Sequence, residues 1–470
     1  MTETLTIAQQ LARFAAETDH RRLPAEVARS VKQRVLDTLG ICLAAAAQGQ
    51  ADGVVDLVAV WGGLEEARLV ARPGRYPAPQ AALVNGTLAH SLDFDDTHLP
   101  SVLHPSATII PAVLALAEAR SRSGAEAVAA AAVGIETTVR VGMGGYLEDA
   151  GNVFFERGWH ATSICGTLGA AAAGAKLLGL DEARIAHAIG IAASMGAGVI
   201  EANRAGGTVK RLHCGWAAHA GLTAALLAER GYTGPPTVFE GRFGFYRAFV
   251  GERFDRGSIV DGLGERWELP GIFFKPYPAN HYTHAGIDAA LAIRRKHDID
   301  PRQVRRIELG TASSPLRTIG EPREEKIRPR SGYHAQFSGP FTIATALLGG
   351  SGLGVYFDDF TDERAGDPER LALAAKVETF IDEACDRRFP RQFPAVVRVE
   401  MEDGAIYEER VMENRGGPGN PLSDEELQLK FRLNADQSLT EAQAERLADA
   451  ILTLDEADEI GLVLALAQPG

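Results

Sequence analysis

Residues 160–178 read HATSICGTLGAAAAGAKLL, and this stretch decides the kind of fold to expect. Between its histidine and its closing KLL it is mostly alanine, glycine and other small residues, so a helix over it is small nearly all round, with Ile164 and Leu168 as the bulky exceptions. Neighbouring axes can then come close, which implies tight helix-on-helix packing. The same texture recurs at 105–120 (PSATIIPAVLALAEAR), 124–140 (GAEAVAAAAVGIETTVR), 181–196 (DEARIAHAIGIAASMG) and 212–230 (LHCGWAAHAGLTAALLAER). Upstream, Val27, Val31, Val35 and Leu39 recur every four residues after Pro24 and draw one apolar stripe along a further helix. Asp181 and Ser106 stand where helix caps are useful. The first half therefore reads as helix after helix, without period-two alternation.

Alternation begins later. VRRIELGTA (304–312) and VVRVEMEDGAIYEERV (396–411) read as strands, the second with a DG turn between its arms. Helices over 286–297 (GIDAALAIRRKH) and 335–349 (AQFSGPFTIATALLG) fall among them, which gives this region an α+β character. A Gly/Pro-rich loop in 413–431 (ENRGGPGNPLSDEELQLKF) precedes a helix capped by Ser423, with Glu426 three residues on in a capping-box arrangement. The expected fold is mainly α with an α+β second domain. An all-helical domain over 1–274 and 416–470, built from both termini, frames a smaller α+β domain over 275–415.

At 470 residues, 46% hydrophobic and 23% charged, the chain is globular in composition and long enough for two domains. No apolar run approaches the ~20 residues that span a bilayer. The opening MTETLTIAQQ is too polar and acidic for a targeting peptide, so a cytoplasmic protein is expected. A net charge of −14 argues against nucleic acid or an anionic membrane as partner, and an anionic substrate must be held by local cations. Cys42, Cys165, Cys214 and Cys385 are scattered without a CxxC pair, which fits reduced, buried thiols rather than a disulfide framework or structural zinc.

Four polar clusters interrupt the apolar pattern. In NGTLAHSLDFDDTHLPSVLHPS (85–106), a continuing helix would set His90, Asp93 and Thr97 on one face with Asp96 beside them, and His104 would follow once Pro100 had ended the helix. Asp95 and His98 read as a solvated helix end. The same string admits a metal site from His90, Asp93, Asp96 and His98, the basis of a metal-dependent hydrolase as a rival function, although HExxH spacing is missing. In GWHATSICGT (158–167), His160 stands at a helix start, where backbone N–H groups and the dipole favour an anion and an imidazole can exchange a proton. In GGTVKRLHCGWAAH (206–219), paired glycines lead to Lys210, a cation tolerable inside a bundle when an anion neutralises it. In FFKPYPANHYTHAGID (273–288), prolines stiffen the presentation of Lys275, and one of His281 and His284 serves the start of the following helix.

These segments resemble the MmgE/PrpD family, which includes 2-methylcitrate dehydratase, cis-aconitate decarboxylase and iminodisuccinate epimerase. The resemblance runs through NGTLAHSLDFDDTH with HPS, GWHATSICGTLGAA, GGTVKRLHCGWAAHAGL, FKPYPANHYTHAGIDA, AQFSGPFTIATALL and GNPLSDEELQLKF, from about residue 30 to 435. It implies a helical domain with an inserted α+β lid, a homodimer, a site in the cleft between the domains, and no cofactor or metal. Its catalytic positions fall on Asp93, His104, His160, Lys210 and Lys275, and its substrate contacts on Thr97, Asn280 and His281. Decarboxylase-like members carry a histidine where this chain has Asn280. Many relatives read FSLPY where this chain reads FSGPF, so Phe341 lacks a phenolic hydroxyl that Tyr333 or Tyr146 would have to replace.

Those departures favour a dehydratase acting on a small di- or tricarboxylate, with an epimerase of an aminodicarboxylate or a decarboxylase as alternatives. In the implied scheme Lys210 and Lys275 clamp carboxylates, one of His104 and His160 abstracts the α-proton, the other returns a proton, and Asp93 orients His104. A relative that only binds a carboxylate is the remaining alternative.

Overall fold

The computed structural model describes residues 5–148, 150–202 and 207–469. The chain divides into two compact units, Met1–Ile272 with Phe431–Gly470, and Phe273–Lys430.

The first unit is a helical bundle. Its principal helices are α1 (Ala25–Ala47), α2 (Ala78–His90), α3 (Ser106–Ala119), α4 (Gly124–Met143), α5 (Ala161–Leu177) and α6 (Val209–Glu229). The small-residue texture does what its composition implies. A Cβ added to Gly86 of α2 would lie 2.8 Å from the Gly215 Cα of α6, and one added to Gly215 would overlap the Leu83 carbonyl oxygen. A Cβ on Gly169 of α5 would come 2.5 Å from the Gly134 carbonyl of α4. The chain's C-terminal part returns to α1, where Ser438 Oγ donates to the Leu43 carbonyl at 2.8 Å and Phe431 covers Gly40. The unit also holds two short antiparallel ladders, Ala67–Arg68 with Arg75–Tyr76 and Tyr146–Leu147 with Gly151–Asn152. Two-residue strands are too short to leave an alternating pattern, which is why the sequence reads as helix alone there.

The second unit carries α7 (His284–His297) and α8 (Gly339–Leu348) around a four-stranded sheet. Its strands β1 (Val304–Thr311), β2 (Val377–Ile381), β3 (Ala395–Met401) and β4 (Ile406–Val411) lie in the order β2-β1-β3-β4. β2 runs parallel to β1, and the other pairs are antiparallel. The Asp403–Gly404 turn joins β3 to β4 as expected, with Gly404 at φ +87°. β2 escaped the sequence reading because it is an edge strand whose only buried residue is Val377.

Caps divide similarly. Asp181 accepts from Arg184 N at 2.9 Å, and the Ser423 box forms with Glu426 N donating to Ser423 Oγ at 3.2 Å and Ser423 N to Glu426 Oε2 at 3.0 Å. Ser106 is not a cap: Pro105 holds that position and the Ser106 hydroxyl turns to Asp96. The four cysteines are buried and free, and burial pushes the Cys42 and Cys165 thiols up, away from reactivity. Among the described residues, no helix is long and apolar enough to cross a membrane.

Replacing Gly215 with valine should lower stability by about 1–3 kcal/mol through overpacking of the α2–α6 contact. Gly53→Ala, whose Cβ meets nothing within 4 Å, should raise it by roughly 0.5–1 kcal/mol by favouring the helix. Urea denaturation followed by circular dichroism checks both.

Candidate active site

The site's scaffold is the segment between α2 and α3. The three- and four-residue spacing predicts a helix continuing to Thr97, but the helix ends at His90 and Asp93 adopts φ +52°. Short side chains such as Ser91 and Asp93 compete with the helical ladder for hydrogen bonds, and aspartate tolerates the left-handed region better than most residues. His98 and Leu103 then exchange backbone hydrogen bonds at 2.8 and 3.3 Å, closing a loop around Pro100.

A buried ion pair pins that loop. Asp96 Oδ2 accepts from Arg34 Nη1 of α1 at 2.7 Å and from the Ser106 hydroxyl, while Asp96 Oδ1 accepts from Ser106 N at 3.2 Å. Arg34 Nη2 donates to the Ile272 carbonyl at 2.8 Å. All four of the rival hydrolase's ligands therefore serve other partners: Asp96 holds Arg34, His98 Nδ1 meets Ser101 Oγ at 2.7 Å, His90 meets Asp95, and Asp93 meets Lys210. Among the described residues, the compact donor group is instead His90, Asp95 and Cys214, whose atoms lie within 4.8 Å, with His90 and Asp95 already linked by a hydrogen bond.

Around that group stand further imidazoles. His90 Nδ1 lies 2.7 Å from Asp95 Oδ2, and its ring centroid is 5.3 Å from His104 and 5.5 Å from His160, stacked on the latter. His160 Nδ1 lies 3.0 Å from His213 Nδ1. His104 Nδ1 donates to the Asp96 carbonyl at 2.7 Å, with Thr97 Oγ1 at 3.4 Å and the Asp95 carboxylate at 3.8 Å. A carbonyl only accepts, so the neutral His104 ring carries its proton on Nδ1 and presents Nε2 as a base. The backbone of Asp96 thus orients His104, the task the sequence reading gave to Asp93. The Asp93 carboxylate meets Lys210 Nζ at 3.3 Å. His160 does sit at the start of α5, but its side chain makes no cap.

Charge is arranged unevenly. Burial alone would keep His90 neutral, but the Asp95 carboxylate and the nearby Cys214 sulfur outweigh it and push its pKa up to about 10. His160 is held well below the usual imidazole range by burial first, then by the cations His90 and Lys210, with His213 and His104 opposing any further protonation nearby. Burial, then His90 and Lys210, lower His213 to about 4. The cluster thus contains a fixed cation and, beside it, imidazoles kept neutral and able to take or give a proton. Asp95, expected to be solvated, is instead buried as the counter-ion of His90. His213 carries no motif signal of its own beyond its place three residues after Lys210, which puts it on the same face of α6.

Lys275, Asn280 and His281 belong to the second unit. Lys275 is almost wholly buried. Asn280 Oδ1 accepts from Tyr282 N at 3.1 Å, which closes a short turn. His281 is buried with its ring centroid 5.3 Å from Phe393. His284 is the structural histidine, Nε2 donating to the Ala279 carbonyl at 3.0 Å as α7 begins. Phe341 lies in this unit's hydrophobic core. Of the paired glycines before Lys210, Gly206 lies outside the described residues.

Family models for the MmgE/PrpD N-terminal domain and the MmgE/PrpD C-terminal domain match residues 9–256 and 277–456. The chain belongs to the MmgE/PrpD family. It is 29% identical to the cis-aconitate decarboxylase of Mus musculus over 94% of this chain and 89% of that protein. Against the Homo sapiens cis-aconitate decarboxylase the identity is 30%, over 83% and 80% of the two chains. The 2-methylcitrate dehydratase of Yarrowia lipolytica is more distant, at 24% over 69% and 63%. These relatives are lyases, and this MmgE/PrpD chain is an enzyme of that class.

The His90–Asp95 pair makes a pH prediction. A histidine whose folded pKa lies near 10, against about 6.5 unfolded, contributes stability that is complete below pH 6.5 and is lost as pH rises to 10. Unfolding free energy measured across that window should fall for the native chain, and the slope should flatten in His90→Gln.

Proposed function

We propose that the chain is a carbon–carbon lyase that releases CO₂ from a small unsaturated tricarboxylate of the cis-aconitate kind. The observation that carries this reading is the grouping of His104 and His160 beside the buried His90–Asp95 pair, with Lys210, held by Asp93, near enough for its charge to act on His160. It offers a cation for a substrate carboxylate, a ring held with Nε2 as a base and a second ring able to carry a proton.

When the bond to the departing carboxylate breaks, the electron pair stays on carbon and spreads into the neighbouring unsaturated system. One proton then quenches it. Lys210 stabilises the developing charge through the remaining carboxylate, and His160, which takes up a proton on Nε2 from water once the polyanion has bound, delivers that proton to the carbon. Lys275 provides a second carboxylate clamp, and Thr97 and His281 contact substrate. The reaction runs on the chain's own acids and bases, in a homodimer.

Decarboxylation is preferred over the dehydration favoured by the sequence because the similarity to cis-aconitate decarboxylases is greater and covers more of the chain. The two departures that argued against it also have local structural uses, Asn280 in closing a turn and Phe341 in core packing. The dehydratase reading keeps one point in its favour, the hydroxyl missing at Phe341.

Proton NMR of cis-aconitate, 2-methylcitrate and aminodicarboxylates in deuterated water tests the choice. The proposal expects CO₂ loss from the unsaturated tricarboxylate with one deuteron incorporated on carbon. Water elimination from the hydroxy acid, or bare α-exchange, would replace it with the dehydratase or the epimerase. Lys210→Ala and His160→Ala should each lower turnover at least ~100-fold, and near-native rates in either would remove that residue from the scheme.

A further inference from the structure

An imidazole that trades a proton with substrate must present the correct ring nitrogen, and something has to fix which one that is. For His104 the Asp96 carbonyl does so. For His160 the neighbour at Nδ1 is another imidazole nitrogen, His213 Nδ1 at 3.0 Å, on α6. Two lone pairs or two N–H groups cannot face each other at that distance, so one proton lies between the rings. His213 is the less buried of the two, 7% exposed against 1%, so the N–H left over costs less on His213 Nε2 than on His160 Nε2. His160 Nδ1 then donates to His213 Nδ1, and His160 Nε2 is the atom left for substrate.

The chemistry of the partner matters as much as its place. Carboxylates already neutralise cations here, with Asp95 on His90 and Asp93 on Lys210. A third on His160 would add negative charge where a polyanion has to bind. A neutral imidazole accepts the hydrogen bond without that penalty. We propose that His213 is the positioning residue of His160, an uncharged acceptor on Nδ1 that fixes its tautomer without adding a negative charge where a polycarboxylate binds. Burial together with the His90 and Lys210 charges favours the neutral His213 ring that this role needs. The inference rests on the role proposed for His160.

Three substitutions separate positioning from packing. His213→Ala should lower kcat by roughly 10–100-fold with KM nearly unchanged, the usual effect of removing a partner that orients a functional histidine. His213→Asn, which can still accept at that position, should recover most of the loss. His213→Asp keeps the acceptor but adds a charge, so it should raise KM for the anionic substrate and move the acid limb of the kcat profile to higher pH. The groups facing His160 that set that profile are His90, His104, Lys210 and His213, with Asp95 behind His90.

Native kcat in the alanine variant would overturn the assignment, as would an asparagine variant no better than alanine while its melting temperature stays native. A readout free of substrate is the scalar coupling between the two Nδ1 nuclei across their shared proton, in ¹⁵N-histidine-labelled protein. The coupling should appear in the native chain and vanish in His213→Asn, and its absence from the native chain would overturn the inference. Should no tested carboxylate turn over, the decarboxylase reading falls while this measurement still decides the His160–His213 pair.

Discussion

The site depends on one buried ion pair, Arg34 with Asp96. The segment from Ser91 to Pro105 has no regular ladder to define its path, and Asp96 supplies the missing constraint by accepting from Arg34 and from both the hydroxyl and the N–H of Ser106. A buried pair of this kind contributes little net stability, yet removing one partner leaves an uncompensated charge at a cost of about 3–5 kcal/mol. Its structural effect is to lock the carbonyl of Asp96, which orients His104, and to hold Asp93 and Asp95 at fixed places along the same loop.

Neighbouring aspartates thereby take separate tasks, each against a different cation. Asp93 faces Lys210, Asp95 faces His90, and Asp96 faces Arg34. The pairing explains how a chain of net charge −14 can offer a place to an anion. Carboxylates at the site are spoken for, and the protonated His90 ring lies stacked beside His160. The same His90 charge that favours an anion nearby also keeps the neighbouring imidazoles neutral, so the two properties share one electrostatic source.

Much of the fold was legible because it follows from composition. Alanine and glycine on every face of α5 require close neighbours, and the alternation in 396–411 with its DG turn requires a hairpin. β2 was hidden by its exposure at the sheet edge. In the site, His104, His160 and Lys210 could be named from their motifs, but the error over residues 90–97 shows the limit of periodicity. Spacings of three and four suggest a shared helical face only while the helix lasts, and the left-handed turn at Asp93 is set by tertiary partners such as Arg34 and Lys210 that lie far away in the sequence. Asp95 was misjudged for the same reason, since burial against His90 cannot be read from its neighbours.

The contact between Gly86 and Gly215 lies one turn before His90 and directly after His213 and Cys214. The two helices touch almost backbone to backbone where they carry reactive groups, so any side chain larger than hydrogen would pry the imidazole cluster apart. Adaptation to a new substrate is therefore confined to the loops that border this frame. Within the frame, mutational drift has almost nowhere to go.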